Sequence, residues 1–230
     1  MILQINFFKQ EIIQTLKTNS FKFVFLLVFS IGVLSCSKSK ESPISPTMID
    51  LKEAIPNLKL DVRYATSNNF TNKVIYDTVR VFLVEEAVKA LKSVANDLEK
   101  DSIGIIVYDA YRPLSVQRKL WEMYPNPDFV ADPKTGSRHN RGAAIDMSLY
   151  DLKSGKSLEM PTEYDNFTEK ASHSFADLSE DILQNRLYLK TKMEKYGFVS
   201  LNSEWWHYDY HDWKSYPVLD YDFYQIENKQ

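Results

Sequence analysis

Residues 137–149 read SRHNRGAAIDMSL, and this stretch joins a turn to a strand. The turn signal is Asn140-Arg141-Gly142, because asparagine and glycine readily adopt the backbone angles that turns need. After the turn, aliphatic side chains alternate with small or polar ones: Ile145, Met147 and Leu149 against Ala144, Asp146 and Ser148. An alternation of period two predicts a strand with one aliphatic face. Asp146 therefore lies on the face away from the aliphatic side chains.

Three helices are predicted from apolar spacing and end signals. Apolar residues recur every three or four positions from Val84 to Leu98, which indicates an amphipathic helix. A second helix is predicted from Leu114 to about Tyr124, because Pro113 suits a helix start. A third should run from Ser179, as N-cap, to Tyr196 and end at Gly197, where a left-handed residue is common.

Two more segments read as strands. Ile105 to Tyr108 is a short β-rich run that leads into Asp109-Ala110-Tyr111-Arg112-Pro113. Residues 198–210 read as a closing hairpin or paired strands, with Asn202-Ser203 near the turn. Helices and strands mix without βαβ regularity. The sequence therefore predicts the α+β class, with a small, largely antiparallel central sheet flanked by helices.

Length and charge narrow the classes of function. At 230 residues the chain is long enough for one globular domain and too short for two large ones once an export segment is removed. Residues 1–35 hold three basic side chains and one acidic one, so the remainder has 25 basic and 30 acidic residues and a net charge of −5. No basic stripe runs between the aromatic residues. This balance argues against a nucleic-acid partner.

The N-terminal segment has the pattern of an export signal. Phe21 to Leu34 reads FKFVFLLVFSIGVL, an apolar run behind Lys17 and Lys22 that is too short for a comfortable membrane span. It ends in Val33-Leu34-Ser35-Cys36, which resembles the bacterial lipoprotein signal, in which the cysteine is lipidated and becomes the new N-terminus. Cys36 is the sole cysteine, so no intramolecular disulfide is possible.

These features predict a lipoprotein signal peptide over residues 1–35, a lipidated Cys36 with a flexible tether over 36–48, and a folded domain over 49–230. The tether is rich in serine, proline and charge. The protein is then expected to be exported and lipid-anchored to a bacterial membrane, facing the periplasm. The alternatives are an uncleaved anchor and an ordinary signal with an incidental cysteine.

Two of the four histidines stand near acidic residues: His139 precedes Asp146, and Glu204 precedes His207 in the stretch EWWH. A catalytic zinc takes three N or O ligands from the protein and leaves one position for water. His139, Asp146 and His207 can supply such a shell, which leaves Glu204 as a base. Taken singly, a histidine is more often packed or exposed, and a strand acid is more often paired with a base. On a regular strand Glu204 and His207 face opposite ways, so they cooperate only if the chain bends between them.

Four blocks of the sequence resemble VanX-type D-alanyl-D-alanine dipeptidases, which belong to the zinc D-Ala-D-Ala dipeptidase and carboxypeptidase superfamily. The blocks stand in the same order and at similar spacing, and the likeness runs from about Leu51 to Tyr210. It implies that residues 49–230 form a zinc dipeptidase domain with a Hedgehog/DD-peptidase-like zinc fold, which hydrolyses the dipeptide D-Ala-D-Ala to two D-alanines. The blocks are Asp61–Phe70, Asp109–Pro113, Ser137–Asp146 and Glu204–His207.

The resemblance also implies roles for single residues in the reaction. It implies one Zn²⁺ per chain on His139, Asp146 and His207, with Glu204 as the catalytic base. Arg112 would stabilise the negative charge that develops on the substrate. The alternative for Arg112 is a buried pair with Asp109 that braces the turn before Pro113.

Substrate contacts are implied in the same way. Asp165 matches the acid that pairs with the free ammonium of the dipeptide, and Tyr64 and Ser137 match residues that line its site. The chain departs from the family pattern at Ala110, where glycine is frequent, and at Arg138, where a smaller residue is common. Both departures can change the shape of the pocket.

Other interpretations remain open. His173 is expected to orient a zinc ligand or line the site from behind, and His211 is expected at the surface. A second enzymatic interpretation is a carboxypeptidase, of the D,D or the L,D type, that trims cell-wall peptides. A third is a non-enzymatic zinc-fold binding module, although such a module has no need of Glu204 and Arg112.

Overall fold

The computed structural model describes residues 46–127 and 129–227, and a five-stranded sheet lies at the centre of this part. One pair of its strands is parallel and the other three are antiparallel. In spatial order the strands are β2 (Lys59–Leu60), β4 (Ile103–Asp109), β5 (Ala144–Asp151), β7 (Glu204–Tyr210) and β6 (Phe198–Leu201). The α+β class and the largely antiparallel sheet are confirmed.

A separate antiparallel pair and five helices complete the described part. The pair consists of β1 (Met48–Asp50) and β3 (Phe82–Val84). The helices are α1 (Leu51–Ala54), α2 (Glu85–Glu99), α3 (Leu114–Met123), α4 (Glu180–Lys195) and α5 (Phe223–Glu227).

The three predicted helices are confirmed as α2, α3 and α4. The Ser179 hydroxyl caps α4 by accepting from the Ile182 amide at 3.5 Å, and Gly197 follows the helix with a φ of 88°. α2 packs against β4 and α4, and α4 packs against β6. Both helices therefore bury their apolar sides against the sheet and against each other.

β5 is buried along both faces, which the alternation of its side chains did not predict. Ile145, Met147 and Leu149 lie in the aliphatic core as expected, but Asp146 and Ser148 are also buried. Tyr164 covers this polar face, because its ring stacks on Tyr108 of β4 at 4.7 Å and its hydroxyl reaches Asp146. The polar face of the strand is thus the floor of an enclosed site.

β7 contains the bend that the paired motif requires. Ser200 of β6 faces Tyr208, but the next residue, Leu201, faces Glu204, so β7 has additional residues between these two positions. The irregularity breaks the alternation of side chains. Glu204 and His207 therefore turn toward the same cavity.

The predicted signal peptide and Cys36 fall outside the described residues. Among the described residues, no helix has the length and apolar character of a membrane span. Lipidation at Cys36 and the tether remain predictions. The first described strand begins at Met48, where the folded domain was expected to start.

Candidate active site

His139, Asp146 and His207 converge from three elements. His139 lies in a short 3-10 turn before β5, Asp146 is on β5, and His207 faces Asp146 across the strand pair with β7. His139 Nε2 is 3.2 Å from His207 Nδ1 and 3.4 Å from Asp146 Oδ1. His207 Nδ1 is 2.9 Å from Asp146 Oδ1. All three side chains are buried, and their donor atoms form one cluster.

The outer ring nitrogens of both histidines are engaged with oxygen acceptors. His139 Nδ1 donates to the carbonyl oxygen of Ala110 at 2.7 Å, and His207 Nε2 donates to the Asp209 carboxylate at 2.9 Å. A neutral imidazole with one protonated nitrogen has its lone pair on the other nitrogen. The free lone pairs of His139 Nε2 and His207 Nδ1 therefore face Asp146, as in metal-binding histidines.

The donor set fits zinc in kind and in spacing. Zinc accepts imidazole nitrogen and carboxylate oxygen in tetrahedral geometry, and ligand atoms about 2.0–2.1 Å from the metal then lie about 3.3 Å from one another. The three separations of 2.9–3.4 Å match this arrangement. Three protein ligands leave a fourth position open, which is typical of catalytic rather than structural sites.

Electrostatics in this cluster favour a bound cation. Burial raises the pKa of Asp146, but the charges and hydrogen bonds of His139 and His207 outweigh burial and hold that pKa well below its usual range. Burial lowers the pKa of His207, but hydrogen bonds with Asp146 and Asp209 raise it to about 10. A metal at this site therefore competes with a proton.

Glu204 is the acid next to the cluster. Its Oε2 lies 3.9 Å from His207 Nδ1, and its side chain lines the cavity. Burial raises the pKa of Glu204; His207 lowers it, and the charge of Asp146 raises it further. A carboxylate with a raised pKa beside a metal site is suited to accept and return a proton.

Arg112 is both a brace and a lining residue. Its Nε and Nη2 donate to one oxygen of Asp109 at 3.0 and 2.6 Å, and its Nη1 donates to Gln117 at 2.9 Å. The brace that was considered as an alternative is therefore formed. The guanidinium also borders the cavity, where two of its five N–H donors are left for a substrate.

Asp165 and Tyr64 close one end of the cavity. The Tyr64 hydroxyl donates to Asp165 Oδ2 at 2.9 Å. Burial raises the pKa of Asp165 well above its ordinary value, and the charge of Asp146 adds to this effect. Because a buried carboxylate is costly without a cation, this end is suited to an ammonium group.

Ser137 and Arg138 line the same cavity, which has a volume of about 590 Å³. The Ser137 hydroxyl accepts from the His139 amide at 3.0 Å, so it also fixes the turn that carries His139. All eight site residues predicted within the described chain border this cavity. They are Tyr64, Arg112, Ser137, His139, Asp146, Asp165, Glu204 and His207.

The expectation for His173 is wrong. Its ring packs on Tyr208, which points to the opposite face of β7 from His207, and its Nε2 has no hydrogen-bond partner among the described residues. His173 therefore does not orient a zinc ligand. His211 is exposed, as expected.

Two contributors to the site were missed at the level of sequence. Tyr164 donates to Asp146 Oδ2 at 2.9 Å, and Asp209 accepts from His207. Asp109, foreseen only as the partner of Arg112, also accepts from the Tyr76 hydroxyl. Asp209 carried a usable signal, because it stands two residues after a ligand on the same strand. Tyr164 carried none, since it reaches Asp146 from a loop.

Comparisons with known proteins agree with this geometry. A family model described as D-ala-D-ala dipeptidase, in the M15 group of peptidases, matches residues 45–226. The chain belongs to this family. It is thus a metallopeptidase, related to VanX-type dipeptidases as the sequence blocks predicted.

Two relatives illustrate the membership. The D-alanyl-D-alanine dipeptidase of Escherichia coli (strain K12) is 36% identical over 172 residues, which cover 75% of this chain and 89% of the relative. That of Enterococcus faecium is 30% identical over 193 residues, with 75% and 95% covered. Among solved structures, the LD-carboxypeptidase LdcB is similar with a TM-score of 0.42 and 19% identity, covering 73% of this chain and 70% of LdcB.

Proposed function

We propose that this protein hydrolyses D-Ala-D-Ala to two D-alanines with one zinc ion per chain, held by His139, Asp146 and His207. The observation that carries the proposal is the shared cavity: the three donors and Glu204 lie in it together with a half-buried acid, Asp165. The family membership supports the same reaction.

When bound, zinc supplies a Lewis acid that polarises the scissile carbonyl and activates water. Glu204 takes the proton from the attacking water while the water oxygen bonds to the carbonyl carbon. The two free N–H groups of Arg112 donate to the oxygen on which negative charge develops. Glu204 then gives its proton to the leaving amine as the carbon–nitrogen bond breaks.

Asp165 favours the dipeptidase over the carboxypeptidase. The Asp165 carboxylate is half-buried and bonded to Tyr64, and its pKa is raised by desolvation, so it needs a cation within reach to stay ionised at low cost. The free ammonium of a dipeptide supplies that cation. A longer peptide has a neutral amide in the same place.

The same proposal includes the location of the enzyme. Residues 1–35 are removed as a signal peptide, Cys36 carries a lipid, and residues 36–48 tether a catalytic domain over 49–230 to a bacterial membrane on its periplasmic side. Incorporation of a labelled fatty acid into the wild type, and its loss in Cys36→Ala, tests the anchor.

The test of the activity uses the full-length protein, purified in detergent and loaded with zinc. D-Alanine release is measured from D-Ala-D-Ala, with L-Ala-L-Ala and a longer peptide ending in D-Ala-D-Ala run in parallel. Rapid cleavage of the free D,D dipeptide alone supports the proposal. Cleavage of the longer peptide alone moves the assignment to a carboxypeptidase, and no cleavage with zinc bound favours the binding module.

A further inference from the structure

The end of the cavity opposite Asp165 carries basic side chains around an indole ring. Arg138, Arg141 and Trp213 all line the cavity. The guanidinium carbons of Arg138 and Arg141 lie 5.1 and 5.5 Å from the centre of the Trp213 ring. We name these three residues the cationic end.

The cationic end and Asp165 lie on opposite sides of the donor cluster. His207 turns Nδ1 toward Asp146 and the opposite nitrogen, Nε2, toward Asp209, and Asp209 in turn contacts Arg138. Asp165 is bonded to Tyr64, which follows β2 at one edge of the sheet, whereas Trp213 follows β7 near the other edge. A substrate with its ammonium at Asp165 therefore extends past the cluster toward the cationic end.

Part of the charge of Arg138 is available to a ligand. Its Nε lies 3.4 Å from Asp209 Oδ2, and this carboxylate is shared because its other oxygen accepts from His207. No other residue within 46–127 and 129–227 forms an ion pair with Arg138, whose side chain is 41% exposed. Arg141 gives one bond to the backbone oxygen of Tyr216. Arginine retains further donors in both cases.

Three bases lie at or beside this end, against two acids, Asp209 and Asp132. Asp132 also lines the cavity, but its carboxylate accepts from the Lys134 amide within its own turn. Lys214 adds a third cation 5.5 Å from the Trp213 ring without lining the cavity. Arginine side chains with free donors at the wall of a cavity are suited to a carboxylate.

The cavity is also large for D-Ala-D-Ala. About 590 Å³ falls within the range that holds drug-sized ligands, whereas this dipeptide has only eleven non-hydrogen atoms. Space beyond the donor cluster remains for a larger residue on the C-terminal side of the scissile bond.

We propose that the cationic end binds a carboxylate of the residue on the C-terminal side of the scissile bond. The carboxylate is either the main-chain one or that of an acidic side chain, and in the second case dipeptides with an acidic second residue, such as D-Ala-D-Glu, are preferred over their neutral analogues. This inference rests on the proposed dipeptidase activity. Arg138 is then a residue that sets specificity, with Arg141 beside it.

The test compares D-Ala-D-Glu with its neutral analogue D-Ala-D-Gln on the zinc-loaded, full-length wild type, Arg138→Gln and Arg138→Lys. Arg138→Gln should raise the KM for D-Ala-D-Glu about tenfold, and Arg138→Lys should restore part of the loss. A smaller rise for D-Ala-D-Gln identifies the side-chain carboxylate as the ligand, and an equal rise identifies the main-chain carboxylate. Lys214→Gln is the matched control, because it removes a charge beside Trp213 outside the cavity.

Two results overturn the inference. One is a KM in Arg138→Gln that stays within twofold of wild type for both dipeptides. The other is a fall in zinc content and kcat for both dipeptides with no rise in KM, because Arg138 then acts only by bracing Asp209. If the wild type hydrolyses no dipeptide, the proposed function fails separately, and calorimetric binding of the two dipeptides to wild type and Arg138→Gln still tests the subsite.

Discussion

Glu204 lies beside the metal donors with its side chain only 15% exposed, and the proposed mechanism makes it the base. We expect Glu204→Gln to retain zinc and the fold while kcat falls by about three orders of magnitude or more, because the amide cannot accept the proton. Steady-state D-alanine release, with zinc measured in the same samples, tests this expectation. Glu163→Gln is the control, because that carboxylate is exposed and does not line the cavity, although it stands two residues before Asp165, which does. Turnover of Glu204→Gln close to wild type rules out the assignment.

Arg112 has two roles that can be separated by substitution. Arg112→Lys keeps a charge beside Asp109 but loses the two-pronged contact and the fixed donors toward the substrate. We expect kcat/KM to fall about 100-fold or more. Gln117→Met removes the bond from Arg112 Nη1 and the bond that Gln117 donates to the Ala131 carbonyl but leaves the Asp109 pair in place, so it should lower the melting temperature with little change in kcat. If Arg112→Lys and Gln117→Met lower the melting temperature equally and also lower kcat/KM equally, Arg112 has no role in charge stabilisation.

The sequence was most informative about residues whose chemistry is rare. His139 and His207 stood out because few histidines occur in the chain and both lie near acids. Tyr164 was not found, since tyrosines are common and its role depends on which loop covers the sheet. Arg112 was assigned one role or the other, whereas a guanidinium has enough donors for both.

At the scale of elements, local signals predicted the helices and hairpin well. Ser179 and Gly197 mark the ends of α4 because capping and positive φ depend on neighbouring backbone alone. Cooperation of Glu204 with His207 requires the irregularity in β7, but the sequence of the motif does not predict it, because strand register depends on the partner strand. The burial of the polar face of β5 depends on a loop that is distant in sequence.

Gly142 links the turn of His139 to the strand of Asp146. Its φ is 63°, and a Cβ there would lie 2.6 Å from Met48 Cε, so Gly142→Ala brings both backbone strain and crowding. Gly155 has a φ of 72°, but a Cβ there meets only Lys59 Nζ at 3.7 Å. We expect Gly155→Ala to cost about 1–2 kcal/mol and Gly142→Ala to cost more. Zinc affinity should fall in Gly142→Ala alone. Urea unfolding and zinc titration measure both effects, and equal behaviour of the two variants contradicts this role for the turn.

At the scale of the whole molecule, His173 makes stability depend on pH. Burial, together with the charges of Lys190 and Arg186, lowers the pKa of His173 from 6.5 to about 4. Between these values the unfolded chain binds a proton that the folded chain does not, so this contribution to stability is full above pH 6.5 and is lost as the pH falls toward 4. We expect the denaturant concentration at the midpoint of unfolding to fall as the pH is lowered from 6.5 to 4, and to fall more steeply for the wild type than for His173→Phe. If the midpoint depends on pH in the same way in both proteins, His173 does not have this effect on stability.

The whole fold serves to hold a charged cavity over the middle of the sheet. The strands β5 and β7 provide two donors, the 3-10 turn provides the third, and the segments that follow β5 and β7 contribute Asp165 and Trp213 to the cavity lining. The sequence predicted the donors and the acid end. It did not predict the cationic end, because Trp213 and Arg138 are distant in the chain and meet only after the strands pair.

The most direct test of the central claim is a zinc titration of the metal-depleted, full-length protein, with D-alanine release from D-Ala-D-Ala measured at each addition. The account predicts that activity rises with zinc, levels off at one ion per chain, and does not reach this level in His139→Ala, which should bind less zinc. Full activity without zinc, or an unchanged titration in His139→Ala, would contradict it.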